Sequence, residues 1–216
     1  MTLNQRNRLI KNLEMLGYIK SLKVKKAMLK VPRELFVPKE HYDQAYTDTP
    51  LPIPGDQTIS ASHIHAITLS ELELKEGENV LEIGAGSGIL LAYIREIVGE
   101  KGKVVGIEIN KDTYGFAKNN LKKVSYKDII LIHGDGSLGY PKYAPYDKII
   151  VSAASPDIPE PIIEQLRPNG VLLIIIGSPY ADQNLIKIKK TKSGRLIKKE
   201  LLPVIFVPLK GKHGWK

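Results

Sequence analysis

The 216-residue sequence contains no cysteine. That absence excludes a disulfide framework, a thiolate-ligated metal and a cysteine nucleophile, and it points to an intracellular setting. Long apolar runs are missing as well: the longest, VLLIII at 171–176, is far too short to cross a bilayer. The first residues, MTLNQRNRLIKNLEML, are amphipathic and charged throughout, unlike a secretory leader. There is no internal repeat and no low-complexity segment. The chain reads as a soluble cytoplasmic protein with no membrane partner, built as one large domain or a domain with a small appendage.

The formal charge of +9 is unevenly placed: residues 1–30 carry +7, 31–183 carry −7, and 184–216 carry +9. A basic end can meet nucleic acid. In NLIKIKK (184–190), however, Ile186 and Ile188 alternate with Lys187 and Lys189, the pattern of a half-buried edge strand whose lysines oppose aggregation. This reading argues against nucleic acid as a partner.

QRNRLIKNLEML (5–16) and SLKVKKAML (21–29) have helical apolar spacing, and Pro32, Pro38, Pro50, Pro52 and Pro54 interrupt regular structure from there to the arm at 45–63. From Asn79 the texture changes. Apolar strands VLEI, VVGIEI, IILIH, DKIIVSA and VLLIIIG alternate with helical GILLAYIREIV, KDTYGFAKNNLKKV and IPEPIIEQL, the signal of βαβ units with a sheet covered on both faces. NLIKIKK and LLPVIFVPL flank a Ser193-Gly194 turn, with no room for a helix. The expected fold is α/β: a Rossmann-like, doubly wound, mostly parallel seven-stranded sheet with a C-terminal antiparallel hairpin and an N-terminal helical extension. Its expected divisions are a helical segment and substrate arm (1–60), a nucleotide-binding core (61–183) and a β-hairpin completing the sheet (184–216).

After the first core strand comes LEIGAGSG, with Glu82, Gly84, Gly86 and Gly88. A glycine-rich turn between strand and helix lets backbone approach a ligand at the carboxyl end of the sheet, and Glu108, twenty residues beyond Gly88, can accept from ribose hydroxyls. The dinucleotide fingerprint requires a third glycine where Ile89 stands, and Glu82 suits a cationic ligand better than a pyrophosphate. HGDG (133–136) adds Asp135 and Gly136 where an adenine edge would lie. The arrangement resembles the S-adenosyl-L-methionine site of Rossmann-like methyltransferases.

VSAASPD (151–157) lacks the Asn- or Asp-Pro-Pro-aromatic clamp of base amino-group methylation, and methylation at cytosine C5 would need a cysteine. A carboxylate acceptor is already anionic at neutral pH and needs only a water-excluding cleft and a donor to aim it. PIPGDQTISASHIHA (52–66) could supply both, although a serine ahead of an apolar run also reads as a helix cap. His63 and His65 are two apart, so on a helix they diverge and make a poor metal pair; no metal is expected.

VPRELFVP (31–38), AYTDTPLPIPGDQTISASH (45–63), VLEIGAGSG, GDG, PYDKIIVSAA (145–154) and LLPVIFVPLKG (201–211) together resemble the protein-L-isoaspartate O-methyltransferase family. The resemblance implies methyl transfer to the α-carboxylate of L-isoaspartyl residues in damaged proteins, whose ester then closes to a succinimide. It implies Ser60 as the active-site hydroxyl, Ile59, His63 and Val207 as substrate contacts, and isoaspartyl-containing proteins and peptides as partners. Ser62 and Pro54 depart from the family's usual pattern in the arm. An S-adenosyl-L-methionine-dependent RNA methyltransferase, or a noncatalytic nucleotide- or nucleic-acid-binding module, are the alternatives.

Overall fold

Beyond a short hairpin of β1 (Leu51–Ile53) and β2 (Gln57–Ile59), the apolar runs find their place in one large sheet, in a computed structural model that describes residues 2–179 and 181–215. Its strands are β3 (Asn79–Ile83), β4 (Lys103–Glu108), β5 (Ile130–His133), β6 (Tyr146–Ser155), β7 (Leu166–Ile176), β8 (Gln183–Lys190) and β9 (Leu196–Val204). The seven lie in the order β5-β4-β3-β6-β7-β8-β9. The pairs from β5 through β7 are parallel, and β8 and β9 add on antiparallel. Val80, Leu81 and Ile83 of β3 are all buried because helices or loops cover both faces.

One apolar cluster gathers α1 (Thr2–Met15), α2 (Leu22–Lys30), α3 (Ser62–Leu72), α4 (Ile89–Val98) and α5 (Lys111–Lys123) against one side of the sheet. The other cluster joins the opposite side to α6 (Glu160–Gln165) and to Tyr140 and Tyr143 in the loop ahead of β6. The fold follows the expected class. Among the described residues no helix is long and apolar enough to cross a membrane.

Three local expectations are corrected. NLIKIKK is not an edge: β8 is paired on both sides, and the edge is β9, where Lys198 and Lys199 are exposed. Lys187 instead binds Glu73 at 2.7 Å and Glu71 at 3.3 Å at the carboxyl end of α3. The last strand is Leu196–Val204 rather than 201–209, since the chain leaves the sheet edge after Val204. It then crosses the carboxyl end of β6, where Ala154 N donates to Val207 O and Leu209 N donates to Ala154 O, both at 2.8 Å. Finally, α6 stops at Gln165, and Leu166 already opens β7.

Candidate active site

Strand order reverses direction between β3 and β6, and at a switch point of this kind the loops diverge and leave a crevice beyond the strand ends. Two cavities of about 390 and 460 Å³ lie there, each within the size range of small-molecule sites. They share Thr58, Gly84, Gly86, Ser152 and Val207, so they form one cleft with two chambers. Ser152 reaches both because β6 slips register against β7 between Val151 and Ala154. A bulge of this kind re-aims a side chain.

The first chamber is walled by Gly84, Gly86 and Gly136 together with Glu108, Ile109 and Asn110. Glu108 ties the glycine turn to the end of β4: Gly86 N donates to its Oε2 at 3.0 Å and Asn110 N to its Oε1 at 2.9 Å. Burial raises its carboxyl above the ordinary value, opposed by those N–H groups. Each oxygen keeps a free lone pair for a hydroxyl donor.

Gly88 and Asp135 do not line either chamber. Gly88 begins α4 at φ +84°, and a Cβ there would sit 3.2 Å from Leu121 Cγ, so this glycine serves close helix packing. Asp135 accepts from Ser137 N at 2.8 Å and from Lys212 N at 2.8 Å, which fastens the C-terminal segment beside β5. Burial pushes its carboxyl up, but the N–H groups of Lys212 and Ser137 and the Ser137 hydroxyl outweigh it and hold it below the ordinary value.

The second chamber has apolar walls from Ile59, Leu90, Ile175, Leu185 and Phe206, and among the described residues no lysine or arginine lines it. Glu82, 2% exposed, accepts from Ser152 Oγ at 3.1 Å through Oε1, whereas its Oε2 has no partner among the described residues. Burial with no facing cation holds this carboxyl well above the ordinary range. Ile59, Ser60, His63 and Val207 all line the same chamber.

Neither Ser60 nor Ser62, the first residue of α3, acts as its cap. The residue preceding the helix is Ala61, which makes no side-chain cap bond. The cap is supplied from fifteen residues upstream, by Asp48: His63 N donates to its Oδ1 at 2.8 Å, and the His63 ring lies 3.0 Å from its Oδ2. Among the described residues Ser60 Oγ has no hydrogen-bond partner, and Ser60 lines the second chamber. The two histidines diverge as their spacing requires. His65 turns inward, 3.4 Å from Arg33, and is held neutral by burial and then by the charge of Arg33 and by His63.

The arm is a hairpin rather than an irregular stretch, because β1 pairs with β2. Its tip docks on the start of α5, where Asn110 Nδ2 donates to Gly55 O at 3.1 Å and Thr113 Oγ1 donates to Pro54 O at 2.8 Å. A Cβ at Gly55 would overlap the Asn110 amide, so only glycine permits this approach. The arm tip therefore covers the first chamber rather than standing free for a peptide.

Asp48, Asn110 and Ser152 escape sequence reasoning. Ser152 alone carried a usable signal, its place at the carboxyl end of a strand beside the switch point. Asp48 could not be paired with α3 without knowing how the arm folds back.

The family model described as protein-L-isoaspartate(D-aspartate) O-methyltransferase matches residues 4–214. A protein-L-isoaspartate O-methyltransferase from Hyperthermus butylicus is 48% identical, with 98% of this chain and 90% of the relative covered. One from Thermococcus sibiricus is 51% identical, with 97% and 95% covered. Among solved structures, a Plasmodium falciparum protein described as a beta-aspartate methyltransferase, crystallised with S-adenosyl-L-homocysteine, superposes with a TM-score of 0.84. That pair is 31% identical and covers 95% of this chain and 98% of the other.

Proposed function

Because this chain belongs to the protein-L-isoaspartate(D-aspartate) O-methyltransferase family, we propose that it methylates the α-carboxylate of L-isoaspartyl residues in damaged proteins, opening their repair through succinimide closure. One observation carries the reading: Ser60, whose hydroxyl has no partner among the described residues, lines an apolar chamber that opens into a glycine-walled one.

The residues fit S-adenosyl-L-methionine as donor. A buried carboxyl oxygen without a partner is costly, and Glu82 Oε2 is such an atom, suited to the cationic methionyl end. Gly84, Gly86 and Gly136 bring backbone to the wall of the first chamber, and Glu108 offers acceptors to a ribose diol. When bound, the cofactor supplies an electrophilic methyl group on a sulfonium.

The chain's own part is to hold and desolvate. An acceptor carboxylate is anionic at neutral pH, so no base is required. Ile59, Phe206 and Val207 keep water from it, and Ser60 Oγ donates to one oxygen, leaving the other free to be aimed. Charge is cancelled along this reaction, so an apolar chamber favours the transition state over separated ions.

The decisive test is methyl transfer from labelled S-adenosyl-L-methionine to paired peptides that differ only in aspartate versus isoaspartate. Turnover of the isoaspartyl peptide alone is expected; comparable turnover of both would refute the reading.

A further inference from the structure

Arg33 lies in VPRELFVP, far from the cleft in sequence, and its side chain is among the largest fully buried ones in the protein, 1% exposed. Buried arginines are ordinarily paired with carboxylates. Among the described residues Arg33 forms no ion pair; its donors go to Ala45 O at 2.8 Å and Ser60 O at 2.9 Å, with the third edge facing His65 Nδ1 at 3.4 Å. A guanidinium can only donate, so His65 Nδ1 is the acceptor and the ring proton sits on Nε2. Burial lowers this guanidinium from its ordinary value, and Asp48 is the carboxylate whose charge opposes that effect.

The two carbonyls are significant by position. Ala45 is the residue where the chain leaves for the arm, and Ser60 is the residue where it returns after β2. Three donor directions fixed in one plane set the separation and tilt of both carbonyls together, which a lysine ammonium on a flexible stem cannot do. An uncompensated buried charge is a poor source of stability, since an apolar side chain of the same volume would pack at lower desolvation cost. What the fork provides is geometry.

We propose that Arg33 is a positioning residue of the acceptor site, clasping the arm at its base so that the Ser60 hydroxyl is held against the chamber. The inference rests on the reading of Ser60 as the acceptor-side donor. It adds a residue that touches no ligand and acts only through the backbone at Ser60.

A double-mutant cycle with Arg33→Lys and Ser60→Ala tests it, reading kcat/KM on the isoaspartyl peptide, S-adenosyl-L-methionine affinity by calorimetry, and Tm. Arg33→Lys should lower kcat/KM by about tenfold, chiefly through KM, with cofactor affinity within about twofold of wild type. In the Ser60→Ala background the same change should cost less than about twofold more, while the two effects on Tm simply add. An equal loss in both backgrounds, or no loss in either, overturns the inference. If Ser60→Ala is fully active, the Ser60 reading falls and takes this one with it; if Ser60→Ala is impaired while Arg33→Lys is not, only the clasp is lost. Should Arg33→Lys not fold, Arg33→Gln takes its place, and joint loss of cofactor binding and turnover in both variants overturns the assignment of the clasp to the arm.

Discussion

Replacing Asp48 and Ser60 separately by alanine distinguishes a cap from an active-site hydroxyl. Asp48 accepts a 2.8 Å bond from His63 N at the start of α3. Loss of a helix-capping acceptor costs about 1 kcal/mol, and loss of a negative charge at a helix N-terminus adds about 0.3–1 kcal/mol. The 3.0 Å contact with the His63 ring adds little, because both side chains are about a third exposed, at 33% and 31%. A total near 1.5–2 kcal/mol is about 3–8 °C in Tm for a domain of this size. Ser60→Ala removes an oxygen that has no hydrogen-bond partner among the described residues, so its Tm should stay within about 2 °C of wild type. Its kcat/KM on the isoaspartyl peptide should nevertheless fall about tenfold, with cofactor affinity unchanged. The assays are thermal unfolding by circular dichroism and initial-rate kinetics. The reasoning is refuted if Ser60→Ala lowers Tm as far as Asp48→Ala does while activity stays intact.

Three further outcomes are expected. Glu108→Ala removes acceptors for Gly86 N, Asn110 N and the ribose, so S-adenosyl-L-methionine affinity should weaken by about 1.5–3 kcal/mol in calorimetry; unchanged affinity would remove Glu108 from the site. Burial raises the Glu82 carboxyl in the folded protein, so its contribution to stability is complete below the ordinary value of 4.5 and is lost as pH rises through the folded value. Glu82→Gln, neutral throughout, should flatten that part of the Tm-against-pH curve of the cofactor-free protein and weaken cofactor binding at neutral pH; an unaltered curve would show that Glu82 is not the buried acid responsible. Gly88→Ala forces a side chain onto φ +84° beside Leu121 and should cost about 1–2 kcal/mol of stability, with no change in cofactor affinity because the position faces α5.

The alternation of short apolar runs with longer helical stretches is enough to read β3 through β7 with α4, α5 and α6, because a parallel sheet covered on both faces buries most of each strand, as the patterns of β3, β4 and β6 show. The glycine turn with Glu82 and Glu108 was legible for a related reason: a strand end, a turn and an acid at the next strand end are local in sequence and repeat once per βαβ unit. Ser60 stood out by its resemblance to a family, while its local pattern equally suggested a cap. Only the folded arm shows that the cap is not a serine, since Asp48 returns over α3 and takes that role from a distance no local pattern can register. The same holds for the contacts of Gly88 with α5 and of Asp135 with the C-terminal segment, at two residues whose spacing marks them for the cofactor. It holds most fully for Arg33, whose chemistry depends on two carbonyls at positions 45 and 60 meeting one guanidinium. Hydrophobic pattern specifies which face of an element turns inward, whereas the pairing of a buried donor with a remote carbonyl is set by tertiary closure, and the acceptor side of this protein is built from such pairings.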